Sequence, residues 1–259
     1  MDQIIDTNVT LFHWPFRRMP GDETNQLVEK LRSNGVVEAW AGSFEGVFHR
    51  DLTAANERLK KACDDAGKTV ALIPFGSINP LLPDWEPDLK SCVEQFGMRG
   101  IRLHPNYHGY KLDHPEFVRL LALADERRLM VQIVATLEDE RTQPKLMQVP
   151  HVDLKPLAEL LKPHARLQVV LLNAFRALTI DQAGSLAASG QVFFDIAMLE
   201  GVGGIARLAA KVPTERIVFG SHYPLFYFES ALFKLRESAL AQVQRDLIFT
   251  KNARGLTAQ

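Results

Sequence analysis

Short apolar stretches alternate with longer amphipathic stretches along the whole chain. The short stretches are rich in β-branched residues, as buried strands are, and the longer ones repeat apolar residues at helical spacing. Eight strands are predicted, at Ile4–Asn8, Val36–Ala41, Thr69–Phe75, Gly100–His104, Met130–Ala135, Gln168–Asn173, Val192–Ile196 and Arg216–Gly220. Because helical stretches separate them, we expect the strands to pair in parallel.

Helices are predicted in the gaps between the strands and after the last one. They are Thr24–Ser33, Ala54–Ala66, Trp85–Phe96, Pro115–Arg127, Leu154–Leu161, Thr179–Ala188, Gly203–Ala210, Glu229–Leu240 and Gln244–Ala253. The spacing of Asp113 and Glu116 predicts a capping box at the start of the fourth helix. The longest irregular stretch, Thr136–Asp153, is expected to be a loop over one mouth of the fold.

Eight strand–helix units in one chain favour a closed (β/α)8 TIM barrel that residues 1–259 form as a single domain. The alternative is an open doubly wound sheet. No Gly-x-Gly-x-x-Gly follows the first strand, which weighs against the dinucleotide-binding form of that sheet.

Composition and charge narrow the classes of partner. Hydrophobic residues make up 46% of the chain and charged residues 24%, and the formal net charge is −1. Such a balance gives no field to hold nucleic acid or an anionic membrane, so neither is expected as a partner. With two cysteines and no basic, apolar start typical of a signal peptide, we expect a cytoplasmic protein without disulfides.

Polar residues lie where a barrel would place its active site, at the C-terminal ends of the strands. Side chains alternate between the two faces of a strand, so Arg102 and His104 share the inward face of the fourth strand. Asn8 ends the first strand, Asn173 ends the sixth, and His222 lies just beyond the eighth. We expect these five side chains to converge at one end of the barrel.

Four segments carry a resemblance to a known family. They are Ile5-Asp6-Thr7-Asn8-Val9-Thr10, Gly100-Ile101-Arg102-Leu103-His104-Pro105, Arg216-Ile217-Val218-Phe219-Gly220-Ser221-His222-Tyr223-Pro224 and Asn252-Ala253. In this order they resemble the amidohydrolase-related barrels, which include metal-dependent hydrolases and decarboxylases of the aminocarboxymuconate-semialdehyde type. The resemblance covers essentially the whole chain and implies the TIM-barrel fold.

The metal ligands of that family have no counterparts in this chain. The resemblance places the His-x-His of strand one on Asn8 and Thr10, and the histidines of strands five and six on Val134 and Asn173. It places the aspartate that follows strand eight on His222. Catalytic zinc needs His, Cys, Asp or Glu ligands, and valine supplies none. We therefore expect neither a metal of the family type nor another cofactor.

Two histidines and an arginine are the candidates for chemistry. His104 and His222 could share the roles of general acid and base, because imidazole titrates near neutral pH. Arg102 could hold the carboxylate or phosphate of a small anionic substrate through its planar fork. The alternative for Arg102 is an internal ion pair with Asp6 or Asp195.

The remaining candidates are binding residues. Asn8 and Asn173 are expected to donate hydrogen bonds to the substrate, or else to fill the former metal cavity together with the histidines. Tyr107, His108 and Tyr223 are expected to line the substrate pocket, with packed loop residues as the alternative.

Three functions remain open. The first, which we favour, is a hydrolase or decarboxylase that acts on a small anionic molecule without metal. The second is a metallo-enzyme with relocated ligands, in which loop residues such as His13 and His49 join His104 and His222. The third is an inactive barrel kept for ligand binding or assembly. The aromatic run Tyr223–Phe228 is a candidate contact surface for a homo-oligomer, or packs under the barrel mouth.

Overall fold

Parallel strands form the centre of the computed structural model, which describes residues 3–67 and 69–257. The strands are β1 (Ile4–Leu11), β2 (Val36–Ser43), β3 (Ala71–Pro74), β4 (Gly76–Ser77), β5 (Gly100–Leu103), β6 (Met130–Val134), β7 (Val169–Leu172), β8 (Val192–Asp195) and β9 (Ile217–Val218). They pair in the orders β1-β2-β3 and β4-β5-β6-β7-β8-β9, and every pairing is parallel.

The two sheets join into one closed barrel. Only Phe75 separates β3 from β4, and its N–H donates to the carbonyl of Ala41 in β2 at 2.8 Å, so the two segments form one barrel strand. At the other seam, the N–H of Thr7 in β1 donates to Phe219 O at 2.9 Å, and that of His222 donates to Asn8 O at 2.8 Å. The eight predicted strands and the TIM barrel are confirmed.

Helices surround the barrel. They are α1 (Thr24–Ser33), α2 (Glu45–Phe48), α3 (Leu52–Asp65), α4 (Trp85–Glu94), α5 (Pro105–His108), α6 (Pro115–Glu126), α7 (Leu157–Leu160), α8 (Ile180–Ser189), α9 (Gly204–Ala209), α10 (Phe228–Arg236), α11 (Gln242–Asp246) and α12 (Asn252–Thr257). None of these helices is long and apolar enough to cross a membrane.

Three helical features differ from the predictions. The short helices α2 and α5 were not predicted, and the single helix predicted over Gln244–Ala253 is α11, a π-helical turn at Leu247–Lys251 and α12. The helix α6 is capped by His114, whose Nδ1 accepts a hydrogen bond from the N–H of Glu116 at 3.2 Å. The capping box predicted for Asp113 is therefore wrong, because the helix begins one residue later than that spacing requires.

The loop predicted over the barrel mouth lies between β6 and α7. It contains two short 3-10 turns, Glu140–Thr142 and Lys145–Met147. Its ends are tied to the barrel: the N–H of Val152 donates to Ala135 O at 3.1 Å, and Asn173 Nδ2 donates to Thr136 O at 2.8 Å. The loop therefore covers the end of the barrel at which the polar residues lie.

Candidate active site

Polar side chains from three strands meet at the C-terminal end of the barrel. Asn8 Nδ2 donates to Asn173 Oδ1 at 2.9 Å and to Asp195 Oδ2 at 2.6 Å, and the backbone N–H of Asn173 donates to Asp195 Oδ1 at 2.9 Å. All three residues are buried. A Cβ at Gly220 would lie 2.8 Å from the Asp195 side chain and 3.1 Å from Asn8, so glycine there makes room for this contact.

His222 has both ring nitrogens engaged by the protein. Its Nε2 lies 2.5 Å from Leu137 O and therefore donates, because a carbonyl can only accept. Its Nδ1 is then the acceptor that lies 3.3 Å from Asn173 Nδ2. Burial lowers the pKa of His222 to about 4, so the imidazole is neutral at pH 7. A substrate can reach Nε2 of His222 only if the Leu137 carbonyl moves away.

The backbone is held in the left-handed region at two of these positions. Asn173 has φ 56° and His222 has φ 59°. Asparagine and histidine are among the non-glycine residues that adopt this region most often, and such backbone strain concentrates at functional sites. Asn173 directly follows β7, and His222 lies four residues after the end of β9, so both turns of the chain lie at the C-terminal end of the barrel.

Arg102 is buried in the barrel with every N–H on a protein acceptor. Its Nε donates to Gln132 Oε1 at 2.7 Å, and the backbone carbonyls of Val9 and Trp40 accept from its Nη1 and Nη2 at 2.6 and 2.9 Å. Longer contacts of 3.4 Å reach the Thr10 hydroxyl and Thr7 O. No carboxylate of the described residues lies within ion-pair distance, so the alternative of an ion pair with Asp6 or Asp195 is wrong.

A glycine in β2 provides the space for this guanidinium. A Cβ at Gly42 would lie 2.6 Å from Arg102 Nη1 and 2.7 Å from its Cδ. Burial lowers the pKa of Arg102 to about 9, against the attraction of Asp6 and Asp195, so the side chain carries its charge at pH 7. An anion could use the fork of Arg102 only by displacing these bonds.

His104 differs from the other polar residues because its ring is unbonded. It caps α5 and is 1% exposed, and its Nδ1 is buried without a hydrogen-bond partner. Burial lowers its pKa well below the usual range, and the neighbouring His108, Arg102 and His222 lower it further. His104 is thus a neutral imidazole beside a buried cation.

Two buried carboxyl groups also affect the charge at this end of the barrel. Asp6 Oδ1 accepts from the N–H groups of Asn8 and Ser221 at 3.0 Å, yet burial raises its pKa to about 7. Burial raises the pKa of Asp195 to about 6. Lys234, which donates to the carbonyls of Ile196 and Ala197 at 2.8 and 2.9 Å, offsets part of the Asp195 charge. Nothing in the sequence separates Lys234 from the surface lysines.

A small cleft lies above His222. It has a volume of about 230 Å³ and is lined by Arg17, Glu138, Asp139, Thr142, Leu225, Phe226, Tyr227 and Ser230. The ring of Phe226 stands edge-on to His222, with 5.3 Å between the ring centroids. Glu138 is buried and paired with Arg17. Phe226 thus lines the cleft and also contacts the buried histidine.

The predicted binding residues around the mouth divide into two groups. Tyr107 and His108 are half-buried on α5: Tyr107 bonds Gln143 of the mouth loop, and His108 Nε2 donates to Gly46 O at 3.1 Å. Tyr223 packs in the core outside the barrel, and its hydroxyl lies so close to Gly21 that a Cβ there would clash at 2.0 Å. The structure does not bring Tyr223 to the other candidates.

The side chains at the positions of the expected metal ligands offer few free ligand atoms. Asn8 and Asn173 direct N–H groups inward, His222 uses its Nε2–H on Leu137 O, and Val134 offers no donor atom. The nearby charge of Arg102 would also repel a cation. Bonds to the ligands supply the free energy of metal binding, and here the ligand atoms at these positions are missing or already hydrogen-bonded.

Among the described residues, one group of three potential ligands lies within reach of a single ion: His13, Asp22 and Glu23. Both carboxylates of this group already form ion pairs with Arg18, at 2.6 Å for Asp22 and 3.2 Å for Glu23. His49 contacts Arg58 at 3.2 Å. The relocated set with His104 and His222 therefore finds no support in the geometry.

One family model and a number of solved structures match this chain. The model of the Amidohydrolase family matches residues 13–256. No curated protein sequence matches the chain. Similar solved structures include 5-carboxyvanillate decarboxylase from Sphingomonas paucimobilis, with a TM-score of 0.77, 12% identity and coverage of 99% of both chains.

Two further structures are of the same kind. The 5-carboxyvanillate decarboxylase from Novosphingobium aromaticivorans, complexed with manganese and 4-hydroxy-3-methoxy-5-nitrobenzoic acid, has a TM-score of 0.77 and 14% identity, and the match covers 100% of this chain and 96% of that one. The 2,6-dihydroxybenzoate decarboxylase from Rhizobium has a TM-score of 0.73 and 13% identity, with 98% and 99% covered. At these identities the similarity shows the fold.

The space at Gly42 yields a stability prediction. Gly42→Ala forces a Cβ against Arg102, which cannot move without breaking buried bonds, so we expect a loss of about 1–3 kcal/mol in unfolding free energy. Gly255→Ala is the control, because nothing lies within 4 Å of its new Cβ, and it should be neutral or slightly stabilising. Urea denaturation measures both. Equal stability of the two variants would contradict the role of Gly42.

The raised pKa of Asp6 predicts a pH dependence. Between pH 4 and about 7 the folded protein keeps a proton on Asp6 that the unfolded chain has lost, so this group's contribution to stability falls as the pH rises. Asp6→Asn has no ionisable group at this position, so its stability does not decrease with pH for this reason. Its unfolding free energy relative to the native protein should therefore increase from pH 4 to pH 8, by on the order of a few kcal/mol.

The matched control for this experiment is Asp22→Asn. A hydrogen bond from Arg18 lowers the pKa of Asp22, so removing that carboxylate should cost more stability at pH 7 than at pH 3, which is the opposite trend. A difference between Asp6→Asn and the native protein that does not change with pH would show that Asp6 ionises as easily in the folded state as in the unfolded one.

Proposed function

Because the chain belongs to the amidohydrolase family, we propose that it catalyses acid–base chemistry on a small anionic molecule without a metal ion. The reaction is hydrolysis or decarboxylation, and the site is the C-terminal end of the barrel. The observation that carries the proposal is His104: a buried, neutral imidazole without a hydrogen bond on its ring, next to the buried cation Arg102. Unbonded buried polar groups are costly and are retained where they serve chemistry.

A neutral imidazole at this place serves either reaction. Decarboxylation needs a proton for the carbon that loses CO₂, and hydrolysis needs a proton taken from the attacking water. An entering carboxylate would raise the pKa of His104, because an opposite charge favours the imidazolium. His104 would then hold or release a proton according to the charge beside it, and Arg102 would stabilise the negative charge through its field.

The other candidates take supporting roles in this proposal. The cleft of about 230 Å³ suits a small molecule, and Tyr107 lies beside its walls through Gln143, Glu138 and Arg17. His222 becomes available as the second acid–base group when Leu137 O leaves its Nε2. Asn173 Nδ2 donates to the neighbouring carbonyl of Thr136, so an opening of the mouth loop that moved both carbonyls would make this amide available as well.

The substrate class draws on the similar structures as well. Several of them are decarboxylases named for hydroxylated benzoates, and one was solved with 2,6-dihydroxybenzoate bound. The low identity carries no substrate over to this chain. It supports only the choice of small carboxylic acids as the first compounds to test.

The second candidate is a barrel without activity that binds a ligand or another protein. It is favoured by the number of polar groups that the protein itself satisfies: Asn8, Asn173 and His222 bond one another or the backbone, and Arg102 uses every N–H on protein oxygens. A filled cavity of this kind stabilises the fold without chemistry.

Replacing the two histidines separates the candidates. With a carboxylic acid found by screening, His104→Gln should lower turnover by about 10²- to 10⁴-fold, the usual contribution of a general acid or base. His222→Gln should in addition lower the melting temperature by a few degrees, because its partners Leu137 O and Asn173 lose about 1–3 kcal/mol of bonding. Rate assays and thermal melts measure both effects.

The inactive barrel predicts another pattern. Both variants would then melt at lower temperature and bind the ligand as the native protein does. Unchanged turnover in His104→Gln would rule out the proposed role of that residue.

Metal content is a separate prediction. Protein purified without chelator should contain well under one equivalent of zinc, manganese or iron per chain, because Asn8, Thr10, Val134 and Asn173 stand at the ligand positions. Elemental analysis by mass spectrometry measures this. A stoichiometric ion would overturn the metal-free proposal, and the hypothesis of relocated ligands would then require His104 or His222 to contact it.

A further inference from the structure

Three polar atoms without partners belong to neighbouring rings on and beside α5. They are Nδ1 of His104, Nδ1 of His108 and the hydroxyl of Tyr110, and each is buried. The ring centroids are 5.9 Å apart between His104 and His108 and 6.4 Å apart between His108 and Tyr110. Each buried atom without a partner costs about 1–3 kcal/mol, and three of them on neighbouring rings could be satisfied by one shared partner.

The chemistry of these atoms defines what would fit between them. His108 Nε2 lies 3.1 Å from Gly46 O and must carry the hydrogen, so His108 Nδ1 is an acceptor. Tyr110 offers an O–H donor, and burial raises its pKa, so the hydroxyl keeps its proton. A water molecule has two donors and two acceptors, and a buried water makes about three hydrogen bonds.

We propose that one buried water binds between His104, His108 and Tyr110 and holds His104 in the Nε2–H tautomer. The water accepts the hydrogen bond of the Tyr110 hydroxyl and donates its two hydrogens to the Nδ1 atoms of the two histidines. His104 then carries its hydrogen on Nε2. His108 and Tyr110 are positioning residues in this arrangement, since they act on His104 through the water.

The consequence for the site is a defined hydrogen-bond donor. This step rests on the proposed function and narrows it: an imidazole whose Nε2 carries the hydrogen cannot take a proton from water at that atom, so His104 acts as the donor to an anionic oxygen of the substrate. Substrate oxygens that accept are therefore preferred over groups that donate. The small anions expected as substrates have such oxygens. The preference comes from the tautomer and requires no charge on the imidazole.

Nitrogen NMR of the histidine side chains tests the proposal without a substrate. In protein labelled with ¹⁵N-histidine, long-range ¹H–¹⁵N spectra should show the Nε2–H tautomer for both His104 and His108, with cross-peaks from a long-lived water to both rings. Tyr110→Phe removes one hydroxyl and keeps the ring against Phe117, whose centroid lies 5.8 Å away. It should shift the tautomer ratio of His104 toward Nδ1–H by about fivefold or more.

Tyr107→Phe is the matched control, because the hydroxyl of Tyr107 bonds Gln143 and not these histidines. It should leave the tautomer ratio of His104 unchanged. The proposal is overturned if His104 carries its hydrogen on Nδ1 in the native protein, if the water cross-peaks are absent, or if Tyr110→Phe leaves the ratio unchanged. The native spectra decide the first two points even if Tyr110→Phe does not fold.

The spectra and the activity assays fail independently. Retained turnover in His104→Gln would end the proposed function and leave the water site intact. Spectra without the water, together with lost turnover in His104→Gln, would end the water site and leave the proposed function.

Discussion

The buried guanidinium of Arg102 is the interaction on which the centre of this barrel depends. It ties β5, where it originates, to β1 and β2 through the carbonyls of Val9 and Trp40, and to β6 through Gln132. A charge in this place is tolerated because every N–H finds an oxygen and because Gly42 leaves the room. Its field also helps to keep the imidazoles of His104 and His222 neutral.

This cation changes what the barrel end can do. A family member that binds metal needs anionic or imidazole ligands free to coordinate, whereas here the amides of Asn8 and Asn173 and the Nε2–H of His222 are spent on protein oxygens. The charged guanidinium of Arg102 already places a positive charge near the barrel end. The imidazole of His104 is the group in this set that no protein atom bonds, and the proposed proton transfer rests on it.

Much of this could be predicted from the sequence, because strand parity and strand order are visible there. Parity placed Arg102 and His104 on one inward face, and the turn after strand eight placed His222 beside them. The motif segments identified the family and its fold. Asn8 and Asn173 followed from the same alignment of strand ends.

The hydrogen-bond partners of the site residues could not be predicted, because most of them are backbone atoms that no sequence pattern marks. The carbonyl of Leu137 that binds His222 is a backbone atom of an irregular loop, and the acceptors of Arg102 are mostly backbone too. The helix α5 spans four residues, too few for a periodic pattern. Tyr223 lies next to His222 but packs in the outer core, because the left-handed backbone of His222 turns the chain at this point.

The most direct test of the account is an anomalous scattering map of crystals grown with zinc and measured on both sides of the zinc edge. No peak is expected within coordination distance of His104 or His222, because the amides at the barrel end are already bonded and the charge of Arg102 repels a cation. A fully occupied peak there, with either imidazole as a ligand, would contradict this expectation.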